Sequence, residues 1–218
     1  MSKILIFGFP HCGTSILKSI IGHIDDVDEI IQETDIITKS TTKKYILCKS
    51  PYTLDKFFTD KYNDYIKIFI IRNPLYVFSS LNKRFNYKIP ERVSINKYIE
   101  SIKRFCYYKN NPSTNLYTIT YEDMFDNNYQ HLKKILNNIG FKYTDKIFDN
   151  TKYENKIIPN TKLLDEKPKN IEHAEYRTWQ INQSFVSNND SSKLDISDKQ
   201  KFKLLNDINI LTIYPDIV

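Results

Sequence analysis

At 218 residues the chain is long enough for one ordinary domain with a substantial core and short for two. Its 40% apolar and 27% charged residues are those of a globular protein, and no apolar run approaches the roughly 18 residues that span a bilayer. A soluble, cytoplasmic single domain over residues 1–218 is therefore expected, with no membrane partner. The net charge of +6 suits an anionic ligand, although lysines scattered along the whole chain also describe a solvated basic surface.

Lys3 to Phe9 is an apolar run that ends in Gly-Phe-Pro and reads as a first strand, with no small-residue cleavage site behind it. Thr14 to Ile24 places Ile16, Leu17, Ile20, Ile21 and Ile24 on one helical face. Tyr45 to Lys49 is a second strand, and Thr53 to Lys61 reads as a helix after Ser50-Pro51. Tyr65 to Arg72 is nearly continuous in apolar residues, as a parallel strand buried on both faces should be. Asn73-Pro74 then starts a helix that runs to about Arg84.

Ser94 to Asn110 is a helix with a serine cap, Leu116 to Thr120 a strand, and Tyr129 to Ile139 a helix stopped by Gly140. This alternation predicts an α/β fold with a central parallel sheet flanked by helices. From Asn150 to Ser192 the chain turns polar, with Pro159 and Pro168, and reads as a long irregular segment over the core. Ser197 to Leu211 closes with one helix. Cys12, Cys48 and Cys106 show no CxxC or Cys/His spacing, which argues against a zinc site and for a reduced compartment.

The strongest local signal is GFPHCGTS, Gly8 to Ser15, between the first strand and the first helix. Helix N-terminal amides and the helix dipole make such a loop an anion site. A nucleotide-hydrolysing P-loop needs lysine after the second glycine, and Thr14 holds that place, so triphosphate chemistry is disfavoured. The second signal is IFIIRNPLYVFSSL, with Arg72 at a strand's end and Ser80 eight residues on. A guanidinium and a hydroxyl can approach one phosphate there, at the carboxyl ends of parallel strands. A surface ion pair and a satisfied hydroxyl are the bland alternative.

Together the two segments resemble the PAPS-dependent sulfotransferases, PAPS being 3′-phosphoadenosine 5′-phosphosulfate. That family carries a 5′-phosphosulfate loop of the form GxPxSGTT or GxPRSGTT, and later an Arg-(Asn/Asp)-Pro segment with serine eight residues after the arginine. CKSPYTL at Cys48 to Leu54 is similar to the Lys-x-Pro segment of several branches. ITYEDMFDNNYQHLKKILNNIGF at Ile119 to Phe141 is similar to the family's Tyr-Glu-Asp-Leu segment and the helix behind it. The likeness runs from Lys3 to Phe141 in the family's order and implies a P-loop-like sulfotransferase architecture.

The resemblance implies that Gly8, Pro10, His11, Cys12, Gly13, Thr14 and Ser15 hold the 5′-phosphosulfate and that Arg72 and Ser80 hold the 3′-phosphate. It implies PAPS as sulfuryl donor, no metal, and a small-molecule, carbohydrate or peptide acceptor with a hydroxyl or an amine. His11 stands where the family has lysine or arginine, so Lys49 is the second candidate for stabilising the leaving group. Glu33 is the candidate base, with Glu29 and His23 as rivals. Arg177 and Trp179 are candidates for the 3′-phosphate or adenine, although a lone tryptophan more often packs in a core. A P-loop kinase, a non-catalytic nucleotide-binding protein of the same fold and a nucleic-acid binder are the competing readings. The last has no recognised basic-aromatic module behind it, so no nucleic-acid partner is expected.

Overall fold

The computed structural model describes residues 1–30, 33–149, 185 and 187–217. Arg177, Trp179 and most of the polar segment from Asn150 lie outside these residues.

Five parallel strands form one sheet in the order β2-β3-β1-β4-β5. They are β1 (Ser2–Gly8), β2 (Val27–Glu29), β3 (Tyr45–Ser50), β4 (Tyr65–Ile71) and β5 (Leu116–Thr120). The central strand β1 pairs Lys3 with Ile46 on one side and with Tyr65 on the other. Side chains alternate across it. Ile4 and Ile6 join a core with Leu17, Ile20 and Ile21 of α1 (Thr14–Gly22) and with Leu132 and Leu136 of α5 (Gln130–Ile139). Leu5 and Phe7 point the other way, onto α2 (Pro74–Phe85) and α3 (Ile95–Asn110). On that face the Phe7 and Phe69 rings stack 4.7 Å apart, and Phe105 meets Phe69 edge-on at 5.4 Å. Burial on both faces explains why the central strands read as unbroken apolar runs.

Helix ends follow local chemistry. The Asn73 side chain accepts from the Leu75 amide with Pro74 in the first helical position, Ser94 accepts from the Lys97 amide, and Gly140 ends α5 in the left-handed region. Three local expectations change. The helix expected over Thr53 to Lys61 is two 3₁₀ turns, Asp55–Phe58 and Asp60–Tyr62, with Thr59 extended between them. Phe57 and Tyr62 are both buried, and residues five apart would sit about 140° apart around an α-helix, so one straight helix cannot bury both. The Thr59 hydroxyl also donates to the Lys56 carbonyl at 2.7 Å, competing with helical bonding.

The closing helix is likewise split, into α6 (Asp198–Leu205) and α7 (Ile208–Ile213). Asp207 Oδ1 accepts from the amides of Asn209 and Ile210, starting a new helix where the old one would have continued. Finally, the three-residue β2 and the five-residue α4 (Tyr121–Phe125) add to the expected elements. Among the described residues no helix is long and apolar enough to cross a membrane.

Candidate functional site

With β1 at the centre and its neighbours added on opposite sides, the carboxyl ends of β1, β3 and β4 open into one crevice. It encloses about 830 Å³, and its described lining carries six cations, Lys49, Arg72, Lys83, Arg84, Arg92 and Lys193, against Glu33 and Asp190. Such an excess of positive charge in a concave site favours an anionic ligand.

The loop after β1 supplies its floor. No side chain caps the first turn of α1, and Gly13 at its N-cap has φ of 92°. A Cβ on Gly13 would also lie 2.4 Å from the Tyr121 ring, so both backbone conformation and space require glycine. The result is a cradle of helix N-terminal amides. Pro10, His11, Gly13, Thr14 and Ser15 line the crevice. Gly8 and Cys12 do not. Gly8 serves the sheet, since a Cβ there would lie 2.0 Å from the Ile70 carbonyl oxygen of β4. Cys12 is fully buried on the α2–α3 side, its amide donates to the Phe9 carbonyl, and burial pushes its thiol pKa up.

Lys49 is the site's buried cation. Its ammonium donates to Ser15 Oγ at 2.9 Å and to Glu33 Oε1 at 2.7 Å, with 2% of the lysine side chain and 28% of the glutamate side chain exposed. A bridge between Thr34 and Lys49 lays the residues beside Glu33 along β3. The rivals lie elsewhere. Glu29 pairs with the buried Lys18 at 3.0 Å, and His23 Nδ1 bonds the Ser19 carbonyl at 2.8 Å.

The His11 side chain lines the crevice on the α2 side. With φ of 66° the residue turns its ring toward α2, where Nδ1 lies 2.6 Å from Ser80 Oγ and Nε2 lies 3.4 Å from Arg84 Nη1. The imidazole thus belongs to the Ser80 side of the crevice.

Arg72 lies just beyond β4. Its guanidinium sits over the Tyr121 ring at 4.2 Å, gives Nε and Nη2 to Asn189 Oδ1 at 2.9 and 2.6 Å, and gives Nη1 to the His11 carbonyl at 3.4 Å. Of a guanidinium's five N–H groups, two remain for a ligand among the described contacts. Asn189 is held in turn by Glu122 Oε1 at 2.8 Å, and the Asn73 amide reaches the same oxygen at 3.1 Å. Residues 187–196 form a strap fastened to α2, where Ser79 accepts from the Asp195 amide and Asn82 donates to the Asp195 carbonyl. Tyr121, Glu122, Asn189 and Arg84 are site residues that sequence reasoning did not single out. The first two stand inside the Tyr-Glu-Asp segment at the end of β5, which was the available signal.

No protein-family model and no curated protein matches the sequence. Among solved structures the chain is similar to the mouse sulfotransferase SULT7A1 complexed with PAP, at 18% identity and a TM-score of 0.52 over 67% of this chain and 60% of that one. The chain has the sulfotransferase fold. Further similar structures are a sulfotransferase from Alicyclobacillus acidocaldarius, at 13% identity, a TM-score of 0.48 and coverage of 65% and 82%, and retinol dehydratase with androsterone and inactive cofactor PAP, at 11%, 0.48, 66% and 61%. This sulfotransferase-fold chain matches about 60% of the length of the mouse enzyme and of retinol dehydratase.

Proposed function

We propose that the crevice binds PAPS and that the protein transfers its sulfuryl group to a hydroxyl or amine of an acceptor. One observation carries this reading: the amide cradle of Gly13 to Ser15, the buried Lys49 and the Arg72–Ser80 pair all line the same crevice. A nucleotide with phosphate groups at both its 5′ and 3′ positions matches two anion-binding groups of residues in one cleft. Gly13, whose surroundings admit no Cβ, keeps the backbone free for close approach to a 5′-phosphosulfate.

Bound there, PAPS would supply the sulfuryl group, the bond from sulfur to the phosphate oxygen breaking as the acceptor oxygen or nitrogen attacks. The chain's own residues then have separate tasks. Thr14 and Ser15 hold the 5′ group with first-turn amides and hydroxyls. Lys49, kept in place by Ser15, offers its ammonium to the charge that grows on the leaving phosphate oxygen. Glu33 is the carboxylate next to it and takes the acceptor's proton. Arg72 and Ser80 hold the 3′-phosphate. The acceptor is a small molecule, a carbohydrate or a peptide.

Calorimetric titration with 3′-phosphoadenosine 5′-phosphate, AMP and ATP, each with and without Mg²⁺, tests the nucleotide half. The bisphosphate should bind well above AMP and need no Mg²⁺; equal affinities reject the reading. Release of 3′-phosphoadenosine 5′-phosphate from PAPS in the presence of acceptor mixtures tests the transfer.

A further inference from the structure

We infer that Arg84 is a specificity residue for the 3′-phosphate, acting with His11 to enlarge the Arg72–Ser80 subsite; this rests on the PAPS reading above. Ser80 and Arg84 are one turn apart on α2, so their side chains share the helix face that meets the crevice. His11 lies against both, with Nδ1 2.6 Å from Ser80 Oγ and Nε2 3.4 Å from Arg84 Nη1. A guanidinium only donates, so a hydrogen bond from Arg84 to Nε2 goes with the tautomer protonated on Nδ1, which would donate to Ser80 Oγ. In that tautomer Ser80 Oγ accepts from the ring and its own hydrogen remains to be donated to an anionic oxygen.

A second guanidinium converges on the same residue, because Arg72 Nη1 donates to the His11 carbonyl at 3.4 Å. His11 thereby ties Arg72 through its backbone and Arg84 through its ring, and it holds a left-handed φ of 66° to do so. For a residue other than glycine that conformation is strained and persists where surrounding contacts fix it. Two guanidinium groups gathered about one loop residue, beside a hydroxyl whose hydrogen is free to donate, match a dianionic phosphate ester better than a ribose hydroxyl.

Affinities for 3′-phosphoadenosine 5′-phosphate and for AMP, measured by calorimetry on wild type, Arg84→Gln, Arg84→Lys and Lys88→Gln, test this. The two ligands differ only in the 3′-phosphate. Lys88 is exposed and outside the crevice, so its variant reports the general loss of one positive charge. Arg84→Gln should weaken the bisphosphate by roughly ten- to a hundredfold and leave AMP unchanged, the scale of a lost hydrogen bond between charged groups. Arg84→Lys should fall between, and Lys88→Gln should match wild type. A wild-type preference for the bisphosphate that survives intact in Arg84→Gln, or an equal loss for both ligands, overturns the role of Arg84 while leaving the PAPS reading in place. Absence of that preference in wild type overturns both.

Discussion

The Lys49 ammonium lies 2.7 Å from a carboxylate oxygen of Glu33, and the two side chains are buried to different degrees. Removing one partner of a buried pair leaves the other charge uncompensated, and the cost grows with the burial of the charge left behind. Glu33→Gln takes the carboxylate from a lysine of which 2% is exposed, whereas Lys49→Met takes the ammonium from a carboxylate that keeps 28% of its surface. Urea unfolding should therefore show the larger stability loss for Glu33→Gln. Turnover of PAPS should fall about 10²- to 10³-fold in Lys49→Met and by a similar order in Glu33→Gln. Wild-type turnover in both variants would remove the pair from the chemistry.

Gly13→Ala should be among the most damaging single-atom changes in the chain. A left-handed conformation in a residue with a Cβ costs about 1–2 kcal/mol, and the new atom would also stand 2.4 Å from the Tyr121 ring. The loss in unfolding free energy should exceed the conformational cost alone. In Gly13→Ala/Tyr121→Leu the steric part should be relieved and the conformational part should remain. Denaturant curves of the two variants separate these contributions.

Arg72→Ala should cost about 1.5–3 kcal/mol of affinity for 3′-phosphoadenosine 5′-phosphate and little for AMP. Because the same guanidinium takes Asn189 Oδ1 on two nitrogens and covers the Tyr121 ring, the variant should also loosen the strap. Faster amide hydrogen exchange in residues 187–190 is the expected readout.

Lys67 supplies a pH dependence. Burial pushes its ammonium below the ordinary value of 10.5, and its nitrogen reaches the Phe57 carbonyl at 3.2 Å. Between the folded pKa and 10.5 the unfolded chain holds more protons than the folded one, so this group makes stability rise with pH across that window. Below the window its cost is constant. Relative to wild type, Lys67→Met should have its greatest advantage near neutral pH, shrinking as pH climbs toward 10.5. Losing the bond to Phe57 offsets the variant equally at every pH, so the slope is the readout. Parallel stability profiles for the two proteins would contradict it.

The elements that could be read from the sequence are those whose own residues decide them. β1, β3 and β4 are largely apolar runs buried on both faces, β5 is a short run of apolar and β-branched residues, and the helices from Thr14, Pro74, Ile95 and Gln130 carry one apolar stripe each. β2 was not legible because three residues, Val27 to Glu29, leave no period to detect. In the site, Gly13, Arg72 and Ser80 were legible because spacing along one segment defines them. Asn189 meets Arg72 from 117 residues away and Glu122 meets the Asn73 amide from 49, and no local pattern announces such meetings. His11 was legible as a loop residue but not in its direction, which depends on one backbone angle.

The position of β1 bears on how the protein is made. Lys3 pairs with Ile46 on one flank and Tyr65 on the other, so the innermost strand leaves the ribosome before either neighbour exists. Both hydrogen-bonding edges of the apolar stretch Ile4 to Phe7 stay open until β3 has emerged, and one stays open until Ile71 has, the kind of segment that associates with other nascent chains. The parallel crossovers that complete the sheet are slow to form, since each needs contacts between distant residues. Yield of soluble protein should therefore respond to translation speed and chaperone supply, through Ile4 to Phe7, which are fully buried once folding is complete.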